Sequence, residues 1–260
     1  MLQELYAGAV ADANSRSQLV TAAQLEQAIA SLAEPLEVRS FFKKSTVSVI
    51  AEIKRASPSK GDLSEIPDPA KLAIEYQVAG AAAISVLTEQ RQFKGSLDDL
   101  IEVAAVSSVP VLRKDFIATE YQILEARAAG ADIVLLIVAG LNQPQLSHLF
   151  DFARVLGMAV LVETHSAEEI DRAISIGAEF IGINTRDLST FQTNRELFTE
   201  LVGLLPEGVV AVAESAVRNL ADVEQYARAG AQAVLVGEAL VTGDHKALIS
   251  EFSKVTKIRL

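Results

Sequence analysis

Glu52 and Lys54 stand two positions apart in the run VSVIAEIK, and Lys114 closes the run PVLRK. Glu163 closes MAVLVE, Asn184 closes FIGIN with Arg186 two positions on, and Glu214 with Ser215 follows another apolar run. Ionised groups are costly in an apolar layer, so charges that end such runs need a reason. A single strand-end Lys or Glu is usually a solvated rim charge. That reading weakens as positions accumulate on one parity at one end of several strands, where a catalytic site needs them. A lysine beside a carboxylate in a partly desolvated pocket can act as a general acid, and burial is expected to ease its proton release. The carboxylates can take protons or orient hydroxyls. A Schiff-base lysine uses the same residue type, and the residues alone leave both chemistries open.

Other chemistries are excluded. The chain has no cysteine, which removes disulfides, thiolate metal sites and cysteine nucleophiles, and fits a cytoplasmic setting. His148, His165 and His245 lie far apart without ligand spacing, so neither a metal nor a histidine-centred triad is indicated. His165 follows Glu163 by two, is expected to face the same mouth, and is given no role. A net charge of -11 disfavours nucleic acid and anionic membranes, so an anionic ligand must be small and met by a local cation cluster. The longest apolar stretch, Ile133 to Leu141, is far shorter than the roughly 20 residues of a membrane span. Glu4 and Asp12 stand where an export signal would be basic and then apolar.

The elements that must carry these residues alternate. Strands are predicted over Val47–Lys54, Ala82–Leu87, Pro110–Lys114, Asp132–Val138, Met158–Glu163, Phe180–Asn184, Val209–Ala213 and Ala233–Val236. Between them, Pro69–Ala79, Glu120–Ala129, Ala167–Ile176 and Leu220–Ala229 carry apolar residues at helical spacing, and Gly80, Gly130, Gly177 and Gly230 mark their ends. Eight βα units in a chain of 260 residues predict a (β/α)₈ TIM barrel over 46–260. An open doubly wound sheet would announce a G-x-G-x-x-G turn, and none is present. Residues 1–45, with helices over Leu2–Ala13 and Ala22–Ala33 broken at Pro35, form an N-terminal helical extension within one domain. The period-two rule puts Glu52 and Lys54 on one face, about 6–7 Å apart along the strand. The segment from Ser57 to Pro69 reads as a mobile loop over the same mouth.

Barrels commonly hold phosphate after the seventh and eighth strands. Ser215, Ala216, Gly237 and Glu238 are the candidate N–H donors there, Glu238 through its backbone only, with Lys54 as the cation.

The blocks AEIKRASPSKG, FKGS, VLRKDFI, YQILEARAAGAD, LVETH, IGINTRDL, VAES and VGEAL, in this order, resemble the signature blocks of indole-3-glycerol phosphate synthases from about residue 46 to 245. The resemblance implies a sugar-phosphate substrate, 1-(2-carboxyphenylamino)-1-deoxyribulose 5-phosphate, closed to an indole with loss of carbon dioxide and water in tryptophan biosynthesis. No cofactor is implied. It implies that Lys114 protonates the ribulose carbonyl and that Glu163 is the acid/base partner for dehydration. It gives Lys54 the anionic groups and a share in proton transfer, Glu52 and Asn184 the reacting hydroxyl and amine, and Arg186, Glu214 and Ser215 further contacts. Ser57 resembles a loop serine that closes the site, and Phe116 an aromatic-ring contact. Ala216 departs from the family, which has glycine there; a left-handed backbone at this position would be strained by the methyl group. Fold alone does not fix chemistry, so a phosphoribosylanthranilate isomerase, a Schiff-base aldolase or a non-catalytic sugar-phosphate barrel stay as alternatives. Association with other enzymes of the pathway stays open.

Overall fold

Each apolar run is followed by a helix that returns the chain to the same end of the sheet, so consecutive strands pair in parallel. The computed structural model describes residues 1–187 and 192–258. Leu188, which ends the IGINTRDL block, and positions 259 and 260 of the predicted barrel lie outside the described residues. The strands are β1 (Ser48–Ile53), β2 (Ala83–Leu87), β3 (Val111–Lys114), β4 (Ile133–Ile137), β5 (Ala159–Thr164), β6 (Phe180–Asn184), β7 (Val210–Glu214) and β8 (Ala233–Val236). They pair in chain order, and β8 pairs with β1 to close a barrel.

The register explains the polar ends. Glu163 is opposite Gly182, Asn184 opposite Glu214, Glu214 opposite Leu235, and Glu52 opposite Ser85, which is opposite Leu112. Partners across a parallel ladder share a face, so these residues share the barrel interior with Leu112 and Leu235. The interior is packed with Ile50, Leu112, Leu135 and Leu161, all at most 2% exposed.

The helices are set by local capping. Asp68, Ser96, Thr119, Asn142, Ser166, Asn219 and Asp244 each accept a backbone N–H in the first turn of α3 (Pro69–Ala79), α4 (Leu97–Val106), α5 (Glu120–Ala128), α6 (Gln143–Val155), α7 (Ala167–Ser175), α9 (Leu220–Ala229) and α11 (His245–Phe252). Between them lie α8 (Glu196–Leu201) and α10 (Glu238–Thr242). Gly80 and Gly230 end α3 and α9 at φ 110° and 114°, which a side chain would resist.

The extension holds α1 (Leu2–Ser17) and α2 (Ala22–Ile29). Helix α1 runs past the predicted Ala13, and Arg16 in its last turn is bidentate to Glu125 of α5 at 2.5 and 2.8 Å. Helix α2 stops before the predicted Ala33, where the chain is drawn onto the barrel: Arg127 donates to the Ala33 carbonyl, and the Leu36 N–H donates to Asp132 at 2.8 Å. Tyr6 of α1 reaches the end of β4, its hydroxyl 3.3 Å from the Ile137 carbonyl. No helix among the described residues is long and apolar enough to cross a membrane.

Candidate active site

Strand ends deliver the polar groups, and the loops after them build the walls. Glu52 is the penultimate residue of β1, and Lys54 lies just beyond its end. Lys114, Asn184 and Glu214 are the last residues of β3, β6 and β7, and Glu163 is the penultimate residue of β5. They open into a cavity of about 730 Å³. Every residue given a role in the sequence lines it: Glu52, Lys54, Ser57, Lys114, Phe116, Glu163, Asn184, Arg186, Glu214, Ser215, Ala216, Gly237 and Glu238.

The side chains form two connected clusters. Lys54 Nζ lies 2.8 Å from Glu52 Oε1. A Cβ at Gly237 would fall 2.3 Å from that oxygen and 3.2 Å from Lys54 Nζ, so the glycine leaves room for the pair. Lys114 Nζ lies 3.0 Å from Glu163 Oε2 and 3.7 Å from Glu214 Oε2. Asn184 Nδ2 donates to Glu163 Oε1 at 2.9 Å, and Asn184 Oδ1 accepts from Ser215 Oγ at 2.8 Å and from the Arg186 N–H at 3.0 Å. Gly182 gives way to Glu214 in the same manner, since a Cβ there would fall 1.9 Å from Glu214 Oε1.

These groups settle one another's protonation. Burial works against the charge of Lys114, but Glu163, Glu214 and Glu52 outweigh it and hold the ammonium above the usual lysine range. The expectation that burial eases proton release is therefore corrected: three carboxylates win over desolvation. Burial pushes Glu163 up, but Lys114, His165 and the Asn184 amide pull it down to about 2. Burial, and then the Glu163 charge, raise Glu214 well above the usual carboxylate range. Two carboxyls around one ammonium are thus shifted in opposite directions, Glu163 down and Glu214 up.

The loop after β7 carries the strain foreseen for Ala216. Ser215 and Ala216 take φ 67° and 60°, a region that costs an ordinary residue about 1–2 kcal/mol. The segment from Ser57 crosses the mouth: residues Ala56–Ser57 pair antiparallel with Gly61–Asp62, Lys60 Nζ lies 3.7 Å from the Glu238 carboxylate, and Arg186 donates to Ser59 Oγ at 3.3 Å.

Sequence reading missed several members. Phe93, from the FKGS block, and Asp115, Thr193 and Arg218 line the cavity. Tyr6 supports Phe116 edge-on, ring centroids 5.7 Å apart, a contact across 110 positions of chain that periodicity does not carry. His165 stands behind Glu163, with Nε2 3.4 Å from Glu163 Oε1, and is not part of the cavity wall. Its spacing from Glu163 was the available signal. Among the described residues, no group of three or more His, Asp or Glu is arranged to hold a metal ion.

The model of the family "Indole-3-glycerol phosphate synthase" matches residues 2–252. The indole-3-glycerol phosphate synthase of Leifsonia xyli is 54% identical over 256 residues, 98% of each chain. That of Mycobacteroides abscessus is 51% identical over 96% of this chain and 93% of its own. Among solved structures, a thiamine phosphate pyrophosphorylase from Pyrococcus furiosus superposes with a TM-score of 0.61 at 15% identity, covering 81% of this chain and 95% of its own. An N-acetylmannosamine-6-phosphate 2-epimerase from Clostridium perfringens gives 0.59 at 17% identity, over 79% of this chain and 92% of its own. These two likenesses are of fold alone.

Proposed function

The chain belongs to the indole-3-glycerol phosphate synthase family, and from that premise we propose that Lys114 and Glu163 move the protons in its conversion of 1-(2-carboxyphenylamino)-1-deoxyribulose 5-phosphate to indole-3-glycerol phosphate. The enzyme is a carboxy-lyase of tryptophan biosynthesis.

Lys114 donates to the ribulose carbonyl oxygen, which makes its carbon electrophilic toward the aromatic ring. Ring closure leaves the carboxylate on a carbon that regains aromaticity by losing carbon dioxide. The remaining hydroxyl leaves as water, with Glu163 as the acid/base partner. Lys114 carries its ammonium proton at neutral pH and so has one to give to a developing alkoxide; the carboxylates that hold that proton also make it a weaker acid. Glu163, held low, is ready to accept. Glu52 and Asn184 orient the reacting hydroxyl and amine, Phe116 meets the aromatic ring, and Ser57 closes the loop side.

Ser215, Ala216, Gly237 and the Glu238 backbone cradle the phosphate with Lys54. The turn after β7 places the Ser215 and Ala216 N–H groups at the cavity wall beside Gly237 and Glu238. The Glu238 carboxylate faces Lys60, which leaves its N–H free of a competing charge. Arg186, Glu214 and Ser215 add contacts. A cytoplasmic location agrees with the absence of cysteine. Association with other enzymes of the pathway would show as co-elution with them.

The observation that carries this reading is Lys114 Nζ 3.0 Å from the Glu163 carboxylate, in a cavity that also holds the cations Lys54 and Arg186. Purified protein mixed with the substrate is expected to develop indole fluorescence. Lys114→Ala and Glu163→Gln should each lower kcat by about 10²–10⁴-fold with the far-UV spectrum unchanged. Wild-type turnover in Lys114→Ala would remove it as the acid, and borohydride trapping of substrate on Lys114 would replace acid catalysis with a Schiff base.

A further inference from the structure

Glu163 and Glu214 both reach Lys114, yet their surroundings are unequal. Glu214 Oε1 is buried without a hydrogen-bond partner. Glu163 Oε1 receives the Asn184 amide and, from behind, faces His165 Nε2 at 3.4 Å, a charge contact and not a hydrogen bond, for Nε2 is itself buried without a hydrogen-bond partner. The His165 side chain is 15% exposed, so it is not a solvated rim group. Its other ring nitrogen, Nδ1, lies 3.2 Å from Glu169 Oε2. Glu169 is fixed in turn: the same oxygen accepts the His165 backbone N–H at 2.7 Å, and its own N–H donates to the capping Ser166 Oγ at 3.2 Å. The row Glu169, His165, Glu163, Lys114 therefore alternates in sign from helix α7 through β5 to β3.

We propose that His165, clamped by Glu169, is a positioning residue that makes Glu163, and not Glu214, the base beside Lys114. The inference rests on the acid/base role assigned to Glu163 above. A neutral ring that donates Nδ1–H to Glu169 would turn a bare Nε2 lone pair toward a carboxylate oxygen, whereas an imidazolium presents N–H on both sides. The charged groups acting on the ring are Glu169 on α7, Glu163 on β5 and Lys114 on β3. Burial and Lys114 work against its charge, and the two carboxylates overcome them, so the ring keeps its proton above the usual histidine range. That charge stands on the Glu163 side, away from Glu214. Without it, two carboxyls compete for one ammonium and the proton they share loses its fixed place.

Only three histidines are present, so the imidazole nitrogens can be resolved in long-range proton–nitrogen NMR spectra of the whole enzyme. His165 is expected to stay doubly protonated above the usual histidine range. Glu163→Gln and Glu169→Gln should each lower its midpoint by about one unit or more. In the assay, His165→Ala should lower kcat about tenfold, as loss of a supporting partner does, with little change in KM. Because Glu163 loses a neighbouring cation, the acid limb of the kcat profile should move upward in that variant. A His165 midpoint unmoved by Glu163→Gln overturns the proposal, and so does wild-type kcat in a folded His165→Ala. If the wild-type enzyme makes no product, the catalytic reading falls instead, and the NMR titration still decides the pairing.

Discussion

Replacing Glu214 with its uncharged isostere should stabilise the protein and slow the enzyme. Its folded pKa is raised by burial and by Glu163. For a carboxyl shifted upward, stability is fully present below the unfolded value near 4.5 and is lost as pH rises toward the folded value. As pH rises above the unfolded value, the fold therefore loses stability through this buried acid. Glu214→Gln removes a group that titrates, so its gain in melting temperature should grow from pH 5 to pH 8. A difference of about 1 kcal/mol corresponds to roughly 2–4 °C in a chain of this size. Scanning calorimetry at the two pH values measures it, and an equal gain at both, or a loss, would show that Glu214 is not the protonated member of the pair. Turnover should fall in the same variant, the exchange of activity for stability common in active sites. None of this was legible in the run VVAVAES: strand parity aimed Glu214 inward, but its proton depends on two carboxylates from other strands.

At the scale of one element, β3 shows how much a strand can hide. Its pattern gives Lys114 the inward face, where the structure has it, and the same alternation puts Arg113, which the sequence analysis did not single out, on the outer face. Arg113 is fully buried beneath α5. It donates to Thr88 Oγ1 at 3.1 Å, to the Gln122 carbonyl at 2.7 Å and to Asp115 at 2.9 Å, and it lies 3.4 Å from Glu125. Period two separates faces and says nothing of what covers the outer one, so a buried guanidinium looks like a solvated one in sequence. Helix starts were legible because capping is local, while the ends of α1 and α2 were displaced by Glu125, Arg127 and Asp132 from distant segments. Arg113→Met keeps the apolar stem, leaves the buried Asp115 carboxylate without its cation, and leaves Glu125 to Arg16 alone. It should cost about 3–5 kcal/mol in urea unfolding, with a much smaller loss when Asp115→Asn is added. A single variant within 1 kcal/mol of wild type would show that Arg113 merely fills space.

Across the whole molecule, the extension and the barrel meet at the mouth, which ties folding of residues 1–45 to the shape of the site. Tyr6 is 8% exposed, packs edge-on against Phe116, and donates to the end of β4. Gly140 has no side chain because the Tyr6 ring stands where its Cβ would be, 1.9 Å away. Asp12 and Arg16 of the same helix pair with Arg91 and Glu125, so α1 is held along its length by charge as well as by ring packing. We therefore propose that the extension and the barrel unfold as one cooperative unit. Tyr6→Ala should open a cavity behind Phe116 and lower stability by about 3–5 kcal/mol, and Tyr6→Phe, which loses only the hydroxyl, by about 1 kcal/mol. Because the cavity borders a wall of the pocket, Tyr6→Ala should also raise KM more than it lowers kcat, the mark of a site whose substrate contacts have loosened while its proton transfers remain. Urea unfolding followed by tyrosine fluorescence and by far-UV circular dichroism should give coincident transitions in wild type and variant. Two separated transitions would make the extension an independent unit, and Phe116 would then owe its position to the barrel alone.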